Sequence, residues 1–175
     1  FLLSSTQKAW GLPAGFSICS VSDRLVKKST TIENRGYFLD IQTYEKYYSK
    51  NQTPTTPSIP HMFGLKKVLE NIKKEGLENR WQRHIDMAEY TREWVVEHSQ
   101  EFFTEEKSLS HTITCIKNVQ NWNIEKINEI LLDSGYRMDR GYGKYRHKTF
   151  RIPHMGNIFM DDLKDYLSIF EDSIC

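Results

Sequence analysis

Ser4-Ser5-Thr6-Gln7-Lys8-Ala9-Trp10-Gly11-Leu12-Pro13-Ala14-Gly15 is the stretch whose reading decides the fold of this chain. Lys8 stands just past a short strand candidate, Phe1-Leu2-Leu3-Ser4-Ser5. Gly11 to Gly15 is a turn by composition. Phe16 to Val21 follows as a second strand candidate, with most of its apolar residues alternating. A lysine amine that is partly desolvated loses its proton more easily and can then attack a carbonyl carbon. The hydroxyls and the amide beside it suit a phosphate or a ring oxygen. The plain alternative is that Lys8 is one of 24 basic residues, exposed on a surface turn.

Downstream, a polar and Tyr-rich stretch ends in Asn51-Gln52-Thr53-Pro54-Thr55-Thr56-Pro57. Its prolines exclude a regular helix. A stiff, hydroxyl-rich turn ahead of a helix suits either an oxyanion or a simple cap. Helical patterns then begin. Ser58 is placed to cap a helix with Ile59, Met62, Phe63, Leu69 and Ile72 on one face, ended by Gly76. A second helix carries Leu77, Trp81, Ile85, Ala88 and Val95. Thr112 to Lys117 alternates as a strand. Asn123 caps a helix bearing Ile124, Ile127, Ile130 and Leu131, with Gly135 just beyond it. Thr149 to Ile152 is a further strand candidate. Asp161 and Asp162 favour a helix start ahead of Leu163, Leu167 and Phe170. The expected order after residue 57 is helix, helix, strand, helix, strand, strand, helix. A small sheet covered by helices on one face satisfies it. The chain therefore divides into residues 1–57 and 58–175.

Arg151, in Phe150-Arg151-Ile152-Pro153-His154-Met155-Gly156-Asn157, is the second candidate for chemistry. An arginine fixed on a strand suits two-point recognition of a carboxylate, although a surface arginine on a small sheet has the same local sequence. His154 reads as a packed histidine beside that strand. His61, His84, His98, His111 and His147 do not join it at zinc-like spacing, so no metal site is expected. Trp81 and Trp94, on one helix, read as core and interface residues.

The composition is ordinary: 38% hydrophobic, 27% charged, net charge +1 over 175 residues. That balance gives no reason to expect a nucleic-acid or anionic-membrane partner. No apolar run approaches the roughly 20 residues of a membrane span. Cys19, Cys115 and Cys175 are odd in number and widely spaced, which points to a reducing compartment and a cytoplasmic location. The Asn51-Gln52-Thr53 sequon is a chance tripeptide on this reading. Ser173-Ile174-Cys175 is a poor peroxisomal address. The chain opens on Phe1-Leu2-Leu3 without an initiator methionine, as one cut inside a strand would.

The lysine stretch resembles the Schiff-base segment of the pyridoxal-phosphate-dependent class V aminotransferases, the serine–pyruvate, alanine–glyoxylate and phosphoserine aminotransferases among them. The resemblance implies that Lys8 holds the cofactor covalently and moves a proton between substrate and cofactor. Gln7 before the lysine favours this branch over the cysteine desulfurases, which usually have histidine there. Thr53-Pro54-Thr55-Thr56-Pro57 is similar to a family segment that reaches across a dimer interface to the partner's phosphate. Thr56 is the better match, and Thr53 stands where some relatives have tyrosine. Phe150 to Gly156 is similar to the family's Arg-Ile-Gly-His-Met-Gly segment, whose arginine binds the α-carboxylate of the amino acid. Pro153 replaces a glycine there, which is expected to stiffen the turn.

The resemblance covers nearly the whole chain and implies an α/β protein, the C-terminal part of an aminotransferase of fold type I, with α+β character in its small domain. Residues 1–57 would then be the remnant of the large cofactor-binding domain, and 58–175 the small domain. Implied site residues are Lys8, Gln7, Thr6, Thr53 and Thr56 for pyridoxal 5'-phosphate, and Arg151 for substrate. Implied partners are small amino acids, 2-oxo acids and a second copy of the chain. The acid beneath the pyridine nitrogen, the ring-stacking aromatic and the phosphate loop belong to a large-domain half with no counterpart here, expected on the same or a separate chain. Without them, this chain alone is expected to be inactive. The competing reading is a non-catalytic association domain that keeps these motifs.

Overall fold

The computed structural model describes residues 1–174, and Cys175 lies outside them. Two compact units are present, Phe1–Asn71 and Ile72–Cys175. The division falls inside a helix, later in the chain than the 57/58 boundary read from composition. Each unit is described by itself.

The first unit opens with an antiparallel hairpin of β1 (Leu2–Ser5) and β2 (Ser17–Ser20), in which Ser5 pairs with Ser17. Both strands and the intervening turn lie where the alternation and the glycines put them. Two helices not read from the sequence follow, α1 (Asp23–Ser29) and α2 (Ile41–Tyr48). Asp40 caps α2 by accepting the Gln42 N–H at 3.2 Å, and it also binds Arg35 at 2.7 Å. A side-chain acceptor at a helix start satisfies one of the orphan donors of the first turn. Gln42 closes α2 on α1 by donating to the Val26 carbonyl at 2.8 Å.

The long helix α3 (Ile59–Glu75) begins as expected, but its faces are not the expected ones. Ile59, Met62, Phe63 and Leu69 are exposed, and Val68 is the buried residue. Nor does the Ser58 hydroxyl cap the helix: it bonds His61 Nδ1 at 2.7 Å. The apolar stripe read as a core face is therefore uncovered on this chain.

The second unit holds the core. Helix α4 (Leu77–Glu97) buries Met87, Ala88, Trp94 and Val95, while Trp81, expected at the core or an interface, is 58% exposed. Three antiparallel strands form the sheet in the order β3 (Glu101–Phe102), β4 (Ile113–Lys117), β5 (Thr149–Pro153). Between the last two lies α5 (Ile124–Asp133), and α6 (Met160–Ile174) closes the chain. The strand order departs from expectation: the two consecutive strands precede α5. Residues 136–142 make only an isolated bridge, Asp139 with Arg151.

Alternation explains the sheet. Ile116 pairs with Phe150, and Thr114 with Ile152, and all four are buried; Cys115 and Arg151 form the intervening pair on the other face. Against the buried face pack Ile127 and Leu131 of α5, and Leu163, Leu167 and Phe170 of α6. Trp94 and Phe170 meet edge to face with centroids 5.1 Å apart. Asn123 caps α5 as read, accepting the Lys126 N–H at 3.1 Å, and Asp162 accepts the Phe159 N–H at 2.8 Å ahead of α6. No helix among the described residues is long and apolar enough to cross a membrane.

Candidate active-site elements

Lys8 is carried by the loop joining β1 to β2, and it is exposed, as is Gln7. The loop is tightly built from within. Thr6 is fully buried, and its hydroxyl lies 2.8 Å from the Pro13 carbonyl and 3.1 Å from that of Phe16. The Leu12 N–H donates to the Thr6 carbonyl at 3.0 Å, and the Gly11 N–H to the Lys8 carbonyl at 2.9 Å. Gly11 makes this turn at φ +64, where an L side chain would be strained. Trp10 donates from Nε1 to Ser4 Oγ at 2.7 Å. Thr6 thus shapes the loop with its own hydroxyl, while Gln7 and Lys8 point outward from it.

A further residue fixes this loop and was missed in the sequence. His61, on the first turn of α3, bonds the Pro13 carbonyl through Nε2 at 3.1 Å. A carbonyl only accepts, so Nε2 carries a proton, while Nδ1 lies 2.7 Å from the Ser58 hydroxyl. Gly64 allows the approach: a Cβ there would stand 2.9 Å from Leu12 Cδ2. Thr53 and Thr56 are exposed in the proline-bounded turn before α3; the Thr53 hydroxyl donates to the Thr55 carbonyl at 2.8 Å.

The other element of interest lies in the second unit. Arg151 sits on β5 with its side chain 40% exposed, and its guanidinium is paired with Asp139, Nε donating to Oδ1 at 2.9 Å and Nη2 to Oδ2. Chiefly through that hydrogen bonding, the carboxylate holds the guanidinium pKa above its ordinary value. Asp139 was not read from the sequence either, because its role depends on a loop folding back over the strand. That loop is anchored by Glu125, which binds Arg140, Arg146 and His147. Hydrogen bonding to Arg140, with His147 and Arg146 adding to it, holds the Glu125 carboxyl at about 2.

Behind Arg151 the turn is rigid. His154 is fully buried, bonded to Thr114 Oγ1 at 2.9 Å and to the His111 carbonyl at 3.1 Å, as the packed histidine expected there. Burial pushes its pKa down to about 4. Pro153 ends β5, and Arg83 of α4 braces the residues beyond by binding the Gly156 and Ile158 carbonyls and lying 4.5 Å from the Phe159 ring centroid. Among the described residues no cluster of histidine, cysteine and acid is placed to hold a metal.

The family model for class V aminotransferases matches residues 1–143. The chain belongs to that family. An aminotransferase of Methanocaldococcus jannaschii is 33% identical over 159 residues, covering 88% of this chain and 41% of that protein. Serine–glyoxylate aminotransferase of Arabidopsis thaliana is 32% identical, covering 89% and 40% respectively. The crystal structure of alanine–glyoxylate aminotransferase from Nostoc sp. superposes with a TM-score of 0.88 at 24% identity, covering 99% of this chain and 47% of that one. At that identity the likeness is one of fold, and it agrees with the C-terminal part of a mixed α/β aminotransferase. This class V chain spans about two-fifths of the length of the relatives it matches.

Proposed function

We propose that this chain is the lysine-bearing, C-terminal portion of a pyridoxal 5'-phosphate-dependent aminotransferase that moves an amino group from a small amino acid of the serine, alanine or phosphoserine class to a 2-oxo acid. The observation that carries the reading is the class V family match over residues 1–143, which includes Lys8 on a loop pinned from within by Thr6 and from α3 by His61. An amine displayed on a rigid loop keeps its direction when it reacts, and preset geometry is a large part of catalytic advantage. The cofactor, when bound, supplies an electron sink beside the substrate carbon. Lys8 would hold it covalently and carry the proton. Gln7 would offer its amide alongside. Thr6, whose hydroxyl is engaged within the loop, would act by holding that loop in shape. Thr53 and Thr56 would meet the phosphate of a second copy's site, which makes the working unit a homodimer. Arg151 would take the substrate carboxylate. On this reading residues 1–57 belong to the large cofactor-binding domain and 58–175 to the small domain, and the enzyme is cytoplasmic.

The test is the absorbance of the protein expressed at the full length of its gene. With pyridoxal phosphate it should turn yellow, and Lys8→Ala should abolish the colour that survives dialysis. A wild-type protein that stays colourless would leave the non-catalytic association domain as the better reading.

A further inference from the structure

Arg151 meets Asp139 side-on. The edge formed by Nε and Nη2 is occupied by the two carboxylate oxygens, and among the described residues Nη1 makes no hydrogen bond. A guanidinium carries five N–H donors in one plane, so the end formed by Nη1 and Nη2 still presents two parallel donors, the pattern that fits a carboxylate.

Asp139 is a fixed post. Its Oδ1 also accepts the Gly141 N–H at 3.1 Å, and its backbone carbonyl accepts the Arg151 N–H at 3.4 Å. Gly141 has φ +78, and a Cβ there would stand 2.5 Å from the Tyr145 carbonyl oxygen, so the backbone at this point has little room to move. On the other side, the Met138 N–H donates to buried Asn128 Oδ1 at 3.1 Å, tying the segment to α5. A carboxylate on a loose loop would act as a competitor that substrate displaces. One anchored on both sides acts as a support.

We propose that Asp139 is the positioning residue of the substrate clamp, holding the Arg151 guanidinium by its Nε–Nη2 edge so that the Nη1–Nη2 end receives the carboxylate of the amino acid. This rests on the reading of Arg151 as that clamp. It gives the clamp a particular character. Asp139 offsets the bulk positive charge, so selection depends on a planar, two-oxygen partner matching the fork. A single-atom anion such as chloride, which cannot meet both donors of the fork, competes poorly at such a site.

The proposal is tested with the cofactor-loaded protein at the full length of its gene, by steady-state kinetics with the amino donor. Asp139→Asn sets an NH₂ against Nη2 and breaks the two-point hold. KM for the donor should rise about tenfold while kcat and cofactor retention stay nearly constant. In an Arg151→Lys background, where KM is already raised, the same substitution should add nothing. An Asp139→Asn protein with unchanged KM, or with a lower one, overturns the proposal; the lower value would identify Asp139 as a competitor. If Asp139→Asn does not fold, Asp139→Glu serves instead: its extra methylene displaces the guanidinium, and an unchanged KM again overturns the idea. Arg151→Lys kinetics equal to wild type would sink the clamp itself, a result separable from one in which Arg151 matters and Asp139 does not.

Discussion

His154 carries a pH dependence that follows from its burial. In the folded chain the imidazole stays neutral down to a pH of about 4, because burial opposes its charging more than the hydrogen bond to the His111 carbonyl favours it, and the Arg92 charge adds to that opposition. In the unfolded chain it protonates near its ordinary value of about 6.5. The unfolded state therefore binds more protons between those values, and stability falls as pH falls through that window. The contribution, of the order of 3 kcal/mol, is fully present above about pH 6.5 and gone below about pH 4. Burial likewise lowers the pKa of His84, which acts in the same direction. Urea midpoints between pH 7.5 and 4.5 should drop steeply for wild type and more gently for His154→Gln. Equal slopes would mean that His154 is not the group being read. At this scale Lys8 and Arg151 stood out in the sequence as candidates because their neighbours form contiguous motifs. Asp139 and His61 did not, because each finds its partner 12 and 48 residues away and nothing local marks them.

The helices of the second unit were legible for a reason that can be tested. Asn123 and Asp162 are caps with observed hydrogen bonds, and their helices carry apolar residues at intervals that match the buried face. Removing the Asn123 cap with Asn123→Ala should cost about 1 kcal/mol, and Asn123→Ser should restore most of it. Chemical denaturation would measure both, and an Asn123→Ala midpoint equal to wild type would show that α5 does not depend on its cap. Since α5 also holds Met138 through Asn128, the loop bearing Asp139 should become more mobile in the alanine variant, as faster amide exchange there. Helices α1 and α2 were illegible because they are short and neither buries an apolar residue; Ser29 is the buried residue of α1. In α3 the period was right and the face was wrong, because a periodic apolar stripe does not say what it packs against.

Across the whole chain, burial is unevenly shared. Val68 is the buried apolar residue of the first unit; the rest of the core, from Met87 to Phe170, belongs to the second. Apolar burial is the main source of folding free energy, so the two units differ in their resistance to opening. Limited proteolysis of this 175-residue chain should cut first within residues 1–71 and leave a resistant remainder containing α4 to α6. Cleavage appearing first between α4 and α6 would contradict this division of stability. The cuts should fall in exposed polar segments such as 30–36 and 49–56.

Trp10 lies two positions beyond Lys8, and its indole N–H is held at 2.7 Å by Ser4. If Lys8 holds pyridoxal phosphate as proposed, that bond makes the lysine loop self-reporting. An indole fluoresces in the near ultraviolet, where a pyridoxal group on the neighbouring amine absorbs, so light taken up by Trp10 would pass to that group instead of being emitted. Emission from the full-length protein should therefore dim as pyridoxal phosphate is titrated in. The fractional loss should be smaller in Trp10→Phe, which keeps Trp81, Trp94 and Trp122. An equal loss in the two proteins would mean that the quencher sits somewhere other than Lys8. An ordinary structural hydrogen bond thus supplies an optical gauge of loading, readable at protein concentrations too low for the eye to see any yellow.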